Sequence, residues 1–132
     1  MKKLTVGALF VLATSVLGFS KGHLYWSEAG SDFSLGERNA ANGCYARLHM
    51  DKSHDFAILN MVGDSAIYDI DAALGADIEH DINMIEVGAN AKVTLYDNEG
   101  LRDFRGDISA DSFFDDHRYL DRVDSLKVTC LK

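Results

Sequence analysis

Five histidines, His23, His49, His54, His80 and His117, carry the most obvious capacity for metal or proton chemistry. A zinc site needs three or four converging ligands and usually contains a close-spaced pair. His49 and His54 are five positions apart, which puts them on opposite faces of a continuous strand. The nearest cluster, Asp115-Asp116-His117, reads as an exposed polar loop. Nucleophilic catalysis lacks its local frame, because no Gly-x-Ser-x-Gly elbow is present. Carboxylates are too numerous for any two to stand out as a glycosidase pair. No phosphate-cradling glycine loop or basic aromatic patch occurs. The chain reads as a non-enzyme with no catalytic residue assigned.

Binding chemistry is better represented. Between Leu101 and Asp124 the acids Asp103, Asp107, Asp111, Asp115, Asp116, Asp121 and Asp124 recur, with Phe113, Phe114 and Tyr119 among them. Aromatics amid like charge anchor a partner of opposite charge, and the acids raise the encounter rate. Asp111, Phe113, Phe114, Asp115 and Asp116 are therefore the partner-binding candidates. The competing reading makes Phe113 and Phe114 core residues beneath a loop whose acids are only solvated.

Cys44 and Cys130 are the two cysteines. In an oxidising compartment a pair in a small domain is expected to form a disulfide, the alternative being two buried free thiols. A bridge over that span would stabilise by roughly 4–5 kcal/mol on the chain-entropy scale. Cysteines so far apart do not make a catalytic dithiol.

The compartment follows from the N-terminus. Lys2 and Lys3 precede a run from Leu4 to Leu17 that is apolar apart from Thr5, Thr14 and Ser15, and small residues follow at Gly18 and Ser20. This is the plan of a secretory signal peptide over residues 1–20, cut after Ser20 or after Gly18. The run is shorter than the roughly 20 apolar residues of a membrane span, so no membrane insertion is expected after its removal. Periplasmic export is the resulting expectation. Loss of Lys2 and Lys3 takes the formal charge from −8 to −10. Such a surface repels nucleic acid and anionic head groups and favours basic partners or divalent cations.

The elements that must position these residues are mostly strands. Residues 21–43 read as an N-terminal arm whose Tyr25-Trp26 pair packs on the core, ending in the turn Asn42-Gly43. From Cys44 the period is two: Cys44, Ala46, Leu48 and Met50 alternate with Tyr45, Arg47 and His49. Ala57–Val62, Ala66–Ile70, Ile82–Val87, Lys92–Tyr96 and Leu126–Cys130 are further strands, with turns at Gly63-Asp64 and Gly88-Ala89-Asn90. Asp71–Asp77 and Ser109–Tyr119 are the places for short helices or long loops. A weak repeat links Ile82–Val87 to Val123–Val128, each closing a block of about 40 residues. Two such blocks would form one two-sheet sandwich over residues 44–132, in which neither buries its face alone.

Residues Ala91–Glu99, Asp121–Val128 and the junction Ile82–Val87, Gly88, Ala91–Tyr96 resemble the βγ-crystallin superfamily. Its Greek key has an aromatic five positions after Tyr96 and a glycine seven after it, where this chain has Leu101 and Asp103. The resemblance implies an all-β, two-sheet Greek-key sandwich with at most short helices. It also implies six-residue calcium motifs, which fall on Leu120–Ser125 and on Glu79–Met84. Calcium wants six to eight oxygens. Asn83, Asp121 and Asp124 can supply them, whereas Leu120 and Met84 cannot, so both motifs are degenerate. The expected cofactor set is none, with calcium the one cation brought into view.

The whole profile (exported, acidic, disulfide-stapled, non-catalytic) resembles small periplasmic immunity proteins of type VI secretion. That implies a protein partner, a basic cell-wall (peptidoglycan) hydrolase, towards which a −10 chain would be steered. The alternative is a calcium-binding structural or stress protein of the crystallin type, and a small envelope enzyme is the third class. A free edge strand would also allow a homodimer.

Overall fold

The structure, a computed structural model, describes residues 22–28, 41–50, 58–74 and 82–131. The expected signal peptide, His54, His80 and the head of the first calcium motif, Glu79 to Asp81, lie outside the described residues. No described helix is long and apolar enough to cross a membrane.

Among the described residues nine strands and two short helices follow in order: β1 (His23–Ser27), β2 (Tyr45–His49), β3 (Ile58–Val62), β4 (Ser65–Ile67), α1 (Ile70–Leu74), β5 (Met84–Val87), β6 (Ala91–Asn98), β7 (Arg102–Ile108), β8 (Ser112–Phe114), α2 (His117–Leu120) and β9 (Ser125–Cys130). One sheet has the order β1-β3-β2-β5-β8 and the other β4-β9-β6-β7, all neighbours antiparallel. The chain is all-β and the two-sheet Greek-key expectation holds. Each block contributes four strands, β2 to β5 and β6 to β9. The third strand of each, β4 or β8, crosses to the other block's sheet.

Alternation produces the core. Leu24, Leu48, Leu59, Met61 and Ile85 point inward from the five-stranded sheet; Val93, Leu95, Leu126 and Val128 meet them from the other. Each such side chain contributes roughly 1.5–3 kcal/mol by leaving water. Ile70, Ile82, Leu120 and Val123 are buried in the same core cluster.

Cys44, just before β2, is bonded to Cys130 at the end of β9, across a sequence separation of 86. The bridge joins the two sheets. Asp64 supports it by accepting the backbone N–H of Cys130 at 2.8 Å.

Part of the segment read as an arm belongs to the sheet. β1 pairs with β3 from His23↔Val62 to Ser27↔Ile58, with Leu24 buried and Trp26 packed on the core. Two other strands, β7 and β8, fall where the sequence showed no clean alternation. The expected strand Ala66–Ile70 divides into the end of β4 and the first residue of α1. Ser109–Tyr119, read as a helix or loop, holds β8 and the start of α2.

Candidate functional site

A single row of cross-strand partners runs over the outer face of the five-stranded sheet: Tyr25, Asn60, Arg47, Glu86 and Phe113. Every second residue of a strand shares a face, so all five point away from the core. The middle of the row is polar yet buried, Arg47 at 4% exposure and Asn60 at 1%. Arg47 Nε donates to Asn60 Oδ1 at 2.9 Å, and Asn60 Nδ2 donates to Ser27 Oγ at 2.9 Å and to the carbonyl of Tyr25 at 3.3 Å. Glu86 Oε1 stands 3.7 Å from Arg47 Nη1 and 3.6 Å from His49 Nε2. Burial, then the Arg47 charge, hold the His49 imidazole below its ordinary range, while Glu86 pulls the other way. The Arg47 charge attracts the Glu86 carboxylate, whereas His49 Nε2 makes no hydrogen bond among the described residues.

The row ends at β8, an edge strand. There Phe113 is 67% exposed, while Phe114 packs on the core and meets Tyr119 edge to face at 5.2 Å. Phe113 thus faces solvent and Phe114 the core, because adjacent strand residues face opposite ways. A depression of about 230 Å³ beside Phe113 is lined by Tyr45, Glu86, Val87, Asp111, Ser112 and Phe113. Its rim is tied down. Asp111 N–H donates to the Gly88 carbonyl at 3.0 Å and Ser112 Oγ to the Ser109 carbonyl at 2.6 Å. Tyr45 lies against Gly88 so closely that a Cβ there would stand 2.6 Å from the ring.

Of the other partner-binding candidates, Asp111 is exposed on the rim with φ of 56°. Asp115 is exposed. Asp116 serves α2 as its N-cap, accepting from Tyr119 N–H at 3.3 Å. Glu86 and Tyr45 belong to the site and escaped the sequence reading. Both sit in alternating strands, and only strand pairing shows that they meet Asp111 and Phe113.

The calcium candidates are placed as follows. Asn83 and Asp124 are equivalent: their N–H groups donate to the carbonyls of His49 at 2.8 Å and of Tyr96 at 3.0 Å, just outside the closing strands of the two blocks. Asp121 ends α2, and its Oδ1 is buried without a hydrogen-bond partner among the described residues. Leu120, at the first motif position, is a fully buried core residue. Among the described residues no three or more of His, Cys, Asp and Glu are grouped as metal ligands. With a core leucine in place of an oxygen donor, the second motif does not fit the shell that calcium wants.

These features set the chain beside known folds. A solved structure from work on the evolution of the eye lens beta-gamma-crystallin domain fold superposes with a TM-score of 0.57 and 16% identity, over 83% of this chain and 99% of that one. The fold is that of a βγ-crystallin domain. The N-terminal domain of protein S aligns with a TM-score of 0.48 and 18% identity over 66% of this chain and 97% of that one. A betagamma-crystallin domain from Clostridium beijerinckii gives 0.47 and 16% over 64% and 95%. No protein-family model and no curated protein matches the chain. At such identities the likeness to βγ-crystallin domains is one of fold.

That fold explains the two departures from the Greek-key pattern. Leu101 and Asp103 both have left-handed backbones, φ 57° and 63°, in the tight β6–β7 hairpin. Asp103, at the pattern's glycine position, holds that conformation while hydrogen-bonded to Asn98 Nδ2; aspartate tolerates it better than most residues. Ser125 Oγ closes the hairpin, accepting from Leu101 N–H and donating to the Asn98 carbonyl at 2.5 Å.

Proposed function

We propose that this protein is a non-enzymatic binding protein of the cell envelope that blocks a basic peptidoglycan hydrolase, as an immunity protein or inhibitor does. The observation that carries the reading is Phe113: a large apolar ring held 67% exposed on a strand, beside a concavity with carboxylates at its rim. Burying that ring in a partner is favourable by roughly 1.5–3 kcal/mol. The formal charge of −8 suits a cationic partner through long-range steering. Wall hydrolases meet an anionic substrate and tend to carry the positive charge that such steering needs.

A pull-down from envelope extracts with the protein as bait tests this. The expected result is a basic hydrolase captured by the parent and lost with Phe113→Ala, its lytic activity falling as the bait is added. An empty resin in every extract, with a melting temperature raised by calcium and lowered by chelator, would overturn it in favour of a cation-binding structural protein. Hydrolysis of wall material by the pure protein would overturn it in favour of an enzyme.

A further inference from the structure

We infer that the depression beside Phe113 is a socket for the cationic end of one arginine or lysine side chain of the partner protein. The inference rests on the binding reading above and names the chemistry of its contact. Size decides between a side chain and a free ligand. At about 230 Å³ the depression is below the roughly 300–1,000 Å³ of small-molecule pockets, yet it admits the end of one long side chain. Charge decides the sign. Glu86 contributes a carboxylate at one wall, whose charge the Arg47 guanidinium 3.7 Å away offsets in part. Asp111 contributes another, with no ion pair among the described residues, and residues 109–116 hold three aspartates and no cation. The walls suit the stem as well. Phe113, 67% exposed, offers its ring face to a guanidinium or ammonium group, where cation–π contact adds to the carboxylate attraction. The backbone that carries Asp111 is fixed by its bond to Gly88, so little ordering is lost when a cation arrives.

The test uses isotope-labelled protein titrated with N-acetyl-arginine amide, which carries one positive charge, and with its neutral citrulline counterpart. The expected result is millimolar binding of the arginine probe, with amide shifts confined to Tyr45, Glu86, Val87 and residues 111–113, and at least fivefold weaker binding of citrulline. Asp111→Asn is the informative variant, because asparagine accepts a left-handed backbone as readily as aspartate and leaves the fold intact. It should weaken the arginine probe at least threefold. Equal shifts for the two probes, shifts elsewhere, or no effect of Asp111→Asn would overturn the socket. Hydrolase capture that needs Phe113 but is indifferent to Asp111→Asn would overturn the socket while leaving the binding function standing. Failure of capture by the parent would remove the function itself.

Discussion

The hydroxyl of Tyr119 donates a 2.9 Å hydrogen bond to the carbonyl of Arg105, the one residue of β7 skipped where the register with β6 shifts from Leu95↔Gly106 to Tyr96↔Phe104. A bulge leaves a backbone group outside the ladder, and this tyrosine satisfies it. The ring also lies 4.2 Å below the Arg105 guanidinium, which Asp97 holds at 2.6 Å. A Cβ on Gly106 would stand 2.5 Å from the hydroxyl. Tyr119→Phe should therefore cost about 1 kcal/mol. Gly106→Ala should cost less in the Tyr119→Phe background than in the parent, because the hydroxyl it meets is gone. Urea unfolding of the four proteins checks the coupling; strict additivity would refute it.

Asp103→Gly should raise stability by up to about 1 kcal/mol. Glycine adopts φ of 63° without a side-chain penalty, which outweighs its larger unfolded-state entropy and the lost bond to Asn98. A lower melting temperature for the variant would show that the Asp103–Asn98 contact outweighs the backbone strain.

Reduction should cost about as much as truncating one large core side chain. Replacing both Cys44 and Cys130 by alanine should lower stability by about 2–5 kcal/mol, read as a drop in urea midpoint that reducing agent reproduces in the parent and does not deepen in the variant.

Acid should weaken the fold through His49. Its folded-state pKa lies below the unfolded value of 6.5, first because of burial and then because of Arg47. A depressed histidine binds its proton more readily when unfolded, so the contribution is intact above that value and is lost as pH falls through it. The melting temperature should decline between pH 7.5 and pH 5, and His49→Gln should decline less. Equal declines for parent and variant would assign the effect to other groups.

How far the fold could be read from the chain varied with local regularity. Cys44 to Met50 and Val93 to Leu95 alternate cleanly because their strands lie centrally, with one face wholly in the core. β7 showed no such rhythm: its bulge at Arg105 shifts the phase, its first three residues are exposed, and Phe104 is 63% exposed. β1 and β8 are edge strands, where burial on one side only dilutes the pattern. The site was half legible. Asp111 and Phe113 stand out as an acid and an aromatic two positions apart, but which of Phe113 and Phe114 faces solvent depends on a register that no local signal fixes. Glu86 and Tyr45 looked like ordinary outward positions until pairing brought them to the same rim.

The exchange of third strands between the two sheets has a consequence for the order of events during synthesis. Among the described residues β4 pairs with β9 alone, so a strand complete by Ile67 waits until Cys130 has been made. The first block lacks the partner of its third strand until the second block is made. Such distant pairings make assembly slow, and the unpaired β4 edge is exposed to stray contacts throughout the delay. The oxidative closure of Cys44 onto Cys130 faces the same wait, so that bridge cannot hold the first block before the last strand is made.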